Sequence, residues 1–322
     1  MAHAELESGD GEAVVVQVKR RGRENSRVTF ADGHEELVPN SLLRPCDAAP
    51  AATVETPGHL LVPETPLRRF YKELRNLSGT REERFVQLRR HLDDRHGPKG
   101  STFLAELFSR SQGAMEYYRN PRAPFYQRGR RATQREANPD ARLLVDLISD
   151  GAVMFKDSCR PFQYVDYEIC PTRTTQSCLE NGKAARSSGG GGMDLLLLTT
   201  TPTPLPAVGE IKAASEYVGP TFALIQGLTY AAELVTKSQW SRLGQAFDQL
   251  RPICTADGSP QVDVLVLLQH SSNQEQYSSA DLELAKRMAK EVVADSKVSA
   301  AVRSVEFVSW RLEGETALFS PA

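Results

Sequence analysis

Two short segments decide the fold class of this 322-residue chain, namely GMDLLLL at residues 192–198 and VGEIK at residues 208–212. The first places the carboxylate of Asp194 at the head of an apolar run that is typical of a buried strand. In the second, side chains two residues apart share one face of a strand, so Glu210 and Lys212 point the same way. A hairpin between the two strands is expected to bring Asp194 beside them.

These three side chains predict a metal site. Two hard carboxylate oxygens, supplemented by a backbone carbonyl and waters, suit Mg²⁺ or its substitute Mn²⁺, because Mg²⁺ keeps several waters and usually takes only one or two carboxylates. A neighbouring lysine can hold or deprotonate an attacking water and offset charge in the transition state. On the helix expected next, Gln226 and Tyr230 are four residues apart and therefore share a face.

The pattern around these segments is an α/β alternation. It predicts a helix from Pro139 to about Gly151, strands near 162–169, 193–198 and 207–212, a helix over 220–234, a strand at 262–268, a helix over 280–294 and a strand at 304–311. The resulting order, α-β-β-β-α-β-α-β, is that of a mixed sheet flanked by helices.

The succession G-x-D, E-x-K and Q-x-x-x-Y within this pattern resembles the PD-(D/E)XK nuclease superfamily, and its Q-x-x-x-Y element resembles the RecB-like and λ-exonuclease-like branches. The resemblance covers roughly residues 139–311. It implies metal-dependent hydrolysis of phosphodiester bonds, with Asp194 and Glu210 as metal ligands and Lys212 as the catalytic lysine. It also implies that Gln226 and Tyr230 position the substrate, and it favours DNA over RNA.

The first helix of the expected domain departs from the superfamily pattern. Members usually add an acidic residue there, but residues 139–151 contain no glutamate. The expected sheet-facing stripe consists of Leu143, Leu144, Leu147 and Ile148. Asp140 lies on this stripe, whereas Asp146 and Asp150 fall off it at about 100° per residue. Asp140 is therefore the predicted additional catalytic carboxylate, although a helix N-terminus also favours an aspartate through the macrodipole. Glu136 and Glu168 are reserves.

The first 135 residues divide by composition into three parts. Residues 1–48 contain short β-rich segments, and their order resembles a small SH3-like or Tudor-like β-barrel, which would dock a protein partner. Residues 49–66 form a Pro/Ala-rich linker. Residues 67–135 form a basic helical region that ends in an Arg/Tyr-rich connector. The nuclease-like domain is expected to occupy residues 136–322.

Positive charge is concentrated before this domain. Between Pro66 and Arg142 there are 18 Lys and Arg against 9 Asp and Glu, a net of +9, while the other residues carry 21 against 32, a net of −11. Such segregation indicates a nucleic-acid partner, and Arg128, Arg130 and Arg131 are the best placed to contact phosphate. The same composition is also typical of a solvated, arginine-rich helix face or of a mobile loop that binds no partner.

The amino-acid composition restricts the classes of protein to which this chain can belong. An apolar fraction of 40% and a charged fraction of 25% indicate a folded chain. There is no apolar run of about 18 residues and no basic, apolar leader, so we expect neither a membrane span nor secretion. Five widely spaced cysteines without a C-x-x-C pair favour a reducing cytoplasm. The alternative functions are a non-catalytic DNA-binding or assembly protein with a decayed nuclease fold, and an RNA-processing nuclease.

Overall fold

The structure is a computed structural model. It describes residues 2–7, 13–21, 25–29, 35–39, 43–46, 65–94, 100–116, 126–128, 139–156, 159–171, 193–200, 202–213, 219–270 and 278–322. The chain divides into two units, of which the first contains the N-terminal strands and the second contains every described element from Pro66 onward.

The N-terminal unit contains an antiparallel five-stranded sheet. Its strands are β1 (Ala2–Glu7), β2 (Ala13–Arg21), β3 (Asn25–Thr29), β4 (Glu35–Pro39) and β5 (Leu43–Cys46). They are ordered β4-β3-β2-β1-β5. All five strands lie within residues 1–48, where the sequence predicts short β-rich segments. Closure into an SH3-like barrel stays a prediction, and the expected linker lies outside the described residues up to residue 64.

Three helices open the second unit, as the helical spacing predicts: α1 (Pro66–Arg75), α2 (Arg81–Asp94) and α3 (Gly100–Glu116). Helix α1 begins where the Thr65 hydroxyl accepts the backbone N–H of Arg68. Helix α2 begins at a capping box, in which Glu83 Oε2 accepts the Thr80 N–H and the Thr80 hydroxyl accepts the Glu83 N–H. Both starts are thus encoded by neighbouring residues.

The other elements of this unit form the α/β core. They are β6 (Tyr126–Arg128), α4 (Pro139–Ser149), β7 (Val153–Phe155), β8 (Phe162–Pro171), β9 (Met193–Thr199), β10 (Leu205–Lys212), α5 (Pro220–Leu234), α6 (Lys237–Ala246), α7 (Arg251–Cys254), β11 (Val262–Gln269), α8 (Ser279–Ala294), α9 (Ser296–Ser299), β12 (Val302–Glu313) and β13 (Thr316–Pro321). The described strands of this second unit form one sheet in the order β6-β8-β9-β10-β11-β12-β13-β7.

This sheet is mixed, as predicted. Strands β10, β11 and β12 run parallel to one another, as do β13 and β7, while the remaining pairs are antiparallel. Strand β6 pairs with β8 and lies inside the segment expected to be a connector. None of the helices in these described ranges combines the length and apolar composition that crossing a membrane requires.

Alternation along the central strands separates two apolar layers. Leu196, Val208 and Val266 belong to the layer that contains α1, α3, α5 and α8. Their neighbours Leu195, Ala207 and Leu265 belong to the layer of α4 on the other face of the sheet. Helix α5 is buried along its whole length, and Gly227 lets it approach the sheet closely. A Cβ at Gly227 would lie 2.6 Å from Cγ1 of Val264, so a larger side chain would push the helix away.

One part of the prediction for α4 is wrong. Leu144, Leu147 and Ile148 are buried as expected, but Leu143 is 43% exposed. Leu143 lies about 100° around the helix from Leu144, at the edge of the stripe and on the flank opposite Ile148. Asp140, which the helical spacing predicts to lie on the same stripe, is also exposed.

Candidate active site

The Asp194 carboxylate is fixed on the neighbouring strand. Leu195 pairs with Gly209, so the next antiparallel pair sets Asp194 beside Glu210. Oδ2 of Asp194 accepts the backbone N–H of Ile211 at 2.8 Å. This hydrogen bond holds the partly exposed carboxylate against the segment that lies between Glu210 and Lys212.

Glu210 and Lys212 form a buried charged pair. They are two residues apart on β10 and share its α5-facing side, as the sequence predicts. The Glu210 side chain is fully buried, and Nζ of Lys212, itself 4% exposed, lies 3.9 Å from Glu210 Oε2. Removal of a carboxylate from water is costly, and the lysine charge offsets part of that cost.

Gln226 of α5 connects the helix to this pair. Its Oε1 accepts a hydrogen bond from Lys212 Nζ at 3.1 Å. The position of a Cβ on Gly227, the next residue, is 3.7 Å from Glu210 Cγ, so the helix backbone lies directly over the carboxylate. Sequence reasoning placed Gln226 at this site, and the contact with Lys212 is consistent with that placement.

Tyr230 makes a different contact. It is 2% exposed, and the guanidinium carbon of Arg68 lies 4.9 Å from the centre of its ring, within cation–π range. Arg68 also forms a bidentate ion pair with Glu233, one turn further along α5. The second half of the Q-x-x-x-Y element therefore contacts α1, whereas the first half contacts Lys212.

Tyr71 of α1 is a site residue that sequence reasoning missed. It is 7% exposed, and its ring lies 5.0 Å from that of Phe222 on α5. Burial is the main reason why the pKa of the Tyr71 phenol is raised, and the nearby negative charges of Glu210 and Asp194 raise it further. The apolar spacing of α1 marks its core face but contains no signal for this long-range contact.

The remaining predicted site residues are Asp140 and three arginines. Asp140 Oδ2 accepts a hydrogen bond from Gln269 Nε2 at 2.8 Å, at the end of β11. Gln269 follows Leu268, which pairs with Lys212, so Asp140 lies at the same edge of the sheet but on the α4 side. Arg128 lies in β6, of which the backbone alone is described, and Arg130 and Arg131 lie outside the described residues.

The donor set of the cluster fits a hard divalent cation. Two carboxylates on adjacent strands are sufficient for Mg²⁺, which retains waters as its other ligands. Within the described ranges no group of three or more His, Cys, Asp and Glu side chains could hold a metal ion. Glu168, a reserve candidate, lies between Tyr167 and Ile169 on β8. These two residues pair with Leu195 and Met193 of β9, which are the chain neighbours of Asp194.

Comparisons with family models, with curated proteins and with solved structures give no match to this chain. The interpretation of the site therefore depends on its own contacts and on the motif resemblance.

Proposed function

We propose that the chain is a metal-dependent nuclease that hydrolyses phosphodiester bonds in nucleic acid, with DNA as the favoured substrate. One observation carries this proposal. The backbone amide between Glu210 and Lys212 holds the Asp194 carboxylate, so two carboxylates and one ammonium group occupy a single patch of the sheet. This is the combination that the PD-(D/E)XK resemblance implies.

In this proposal Asp194 and Glu210 hold Mg²⁺ or Mn²⁺. When bound, such a cation lowers the pKa of a coordinated water and stabilises negative charge on a phosphoryl oxygen. The two carboxylates come from adjacent, hydrogen-bonded strands, so their separation is set by the sheet and not by a mobile loop. A rigid support of this kind keeps a catalytic site close to its productive geometry.

Lys212 supplies the positive charge that acts on the reacting phosphate. Its ammonium group is held on one side by Gln226 Oε1 and on another by Glu210 Oε2, at 3.1 and 3.9 Å. Because it is only 4% exposed, its field is screened less than that of a surface lysine. Lys212 therefore orients the attacking water and stabilises the charge that develops in the transition state.

The remaining regions receive supporting roles. Within the +9 segment, Arg128, Arg130 and Arg131 bind the nucleic-acid backbone, since clustered cations displace counterions from phosphates. The N-terminal strands form the SH3-like barrel and dock a protein partner. We place the protein in the cytoplasm, in keeping with its cysteine pattern.

The test is a cleavage panel on linear, circular and single-stranded DNA and on RNA, in Mg²⁺, in Mn²⁺ and in EDTA. Wild type should cleave at least one substrate, and both EDTA and the near-isosteric change Glu210→Gln should abolish cleavage. Asp146→Asn, which neutralises an exposed aspartate of α4, is the matched control and should cleave as wild type does. Binding without cleavage on every substrate would contradict a nuclease and support the non-catalytic alternative.

A further inference from the structure

Helix α1 precedes the segment that resembles the nuclease superfamily, yet it is fixed rigidly to α5. Nε and NH2 of Arg68 lie 2.8 and 2.6 Å from the two Glu233 oxygens, and both side chains are fully buried. The Thr65 hydroxyl donates to the same carboxylate at 2.9 Å. Since α5 also carries Gln226, α1 has a defined position relative to the carboxylate cluster.

The middle of α1 faces that cluster through Tyr71. Its ring contacts Phe222, which lies one turn before Gln226 on α5, and Gln226 accepts the hydrogen bond from Lys212. Tyr71 is buried in the same apolar layer as Val208, which is two residues before Glu210. Tyr71 thus packs α1 against the part of α5 that carries Gln226, and this α1 side is called the wall of the site.

Arg75 continues this wall toward solvent. It is four residues after Tyr71, hence on nearly the same side of α1, and it is exposed in the last turn. Arg68 contacts Tyr230 and Glu233 whereas Tyr71 contacts Phe222, so α1 runs antiparallel to α5 and Arg75 lies toward the start of that helix. Gln226 contacts Lys212 and Gly227 lies over Glu210, so the start of α5 lies beyond the Lys212 end of β10. Arg75 therefore lies at the same end of the sheet as Lys212, and its positive charge lowers the pKa of the Tyr71 phenol whereas Glu210 and Asp194 raise it.

We propose that Arg75 is a substrate-binding residue whose guanidinium binds a phosphate of the nucleic acid next to the bond that is cut, with Tyr71 as the positioning residue beneath it. The inference rests on the proposed nuclease function. Two carboxylates repel the polyanion, so a cation at the mouth of the site is needed for productive binding. The guanidinium fork also matches a phosphate group bidentately.

The experiment compares Arg75→Gln with Arg69→Gln. Arg69 is also exposed on α1, but it lies about 120° around the helix from Arg75, so the two variants lose the same charge on different faces of α1. DNA affinity is measured across a salt titration in Ca²⁺. Arg75→Gln should lower the slope of log K against log[salt] by about 0.9, and Arg69→Gln should leave it unchanged.

Cleavage kinetics in Mg²⁺ provide the second readout. Arg75→Gln should raise KM roughly tenfold with little change in kcat, and Arg75→Lys should restore most of the loss because the charge is retained. Tyr71→Ala should raise KM by loosening the wall, and Tyr71→Phe, which keeps the ring, should restore most of that loss.

Equal effects of Arg75→Gln and Arg69→Gln on slope and KM would overturn the role of Arg75 while leaving the nuclease proposal intact. The binding measurement needs no turnover, so it tests Arg75 even in a chain that binds DNA without cutting it. A wild-type chain that binds neither DNA nor RNA would contradict both proposals.

Discussion

Breaking the ion pair between Arg68 and Glu233 is expected to be the most destabilising charge change in the helical layer. Glu233 accepts three hydrogen bonds, two from Arg68 and one from the Thr65 hydroxyl, all at 2.6–2.9 Å and all without exposure to water. Either single substitution, Arg68→Leu or Glu233→Leu, leaves the other charge buried without its counter-ion. Such a loss costs about 3–5 kcal/mol of unfolding free energy.

The double substitution should cost less than either single one, since no uncompensated charge remains and two leucines can pack against the neighbouring apolar residues. The assay is urea unfolding followed by tryptophan fluorescence. The two tryptophans, Trp240 and Trp310, both lie in the second unit and are buried, so the signal reports that unit alone. The double-mutant cycle then isolates the coupling energy between the two side chains.

Two results would refute this reasoning. One is a decrease in unfolding free energy of less than about 1 kcal/mol in each single variant, which is the contribution of a solvent-exposed ion pair. The other is a double variant whose loss equals the sum of the two single losses, which would mean that the side chains are not coupled.

Three further outcomes are expected. If Asp140 completes the metal site, Asp140→Asn should lower both cleavage and metal affinity while Asp146→Asn changes neither, and equal effects in a metal titration would reject Asp140. Burial raises the pKa of Cys159 to about 11 and of Cys254 to about 12, so at about pH 8 peptide-resolved alkylation of both should be far slower in folded than in urea-unfolded protein. Gln226→Leu, which removes the acceptor for the Lys212 ammonium group, should lower kcat roughly tenfold under the proposed function; an unchanged kcat would mean that Gln226 does not assist Lys212.

The strands and helix that carry the site could be predicted from sequence because their signals are local. The apolar run after Asp194 and the alternation around Glu210 each identify a strand, and Gly219 followed by Pro220 marks the start of α5 at the residue where it begins. The shared face of Glu210 and Lys212 follows from strand geometry alone. These features need no knowledge of distant residues.

What could not be predicted depends on contacts between distant segments. Tyr71 packs on Phe222 because α1 docks on α5, where Arg68 and Glu233 pair across 165 residues. In the sequence, Asp263 is a charged residue within an otherwise apolar strand, and its partners cannot be inferred from that strand. In the structure it is fully buried and accepts hydrogen bonds from Arg303 and Ser304. Leu143 lies at the edge of the apolar stripe of α4 and is exposed, and helical spacing alone does not reveal how much of such a stripe tertiary packing covers.

The most direct test of the nuclease assignment is single-turnover cleavage by Lys212→Met, compared with wild type at saturating enzyme in Mg²⁺. Methionine keeps most of the buried aliphatic volume and removes only the charge, and thermal unfolding of the variant checks that the fold survives the loss of the ion pair with Glu210. DNA affinity is measured in parallel in Ca²⁺. The account predicts a rate reduced at least about 10²-fold with DNA affinity nearly unchanged. A folded variant that cleaves at the wild-type rate would contradict it.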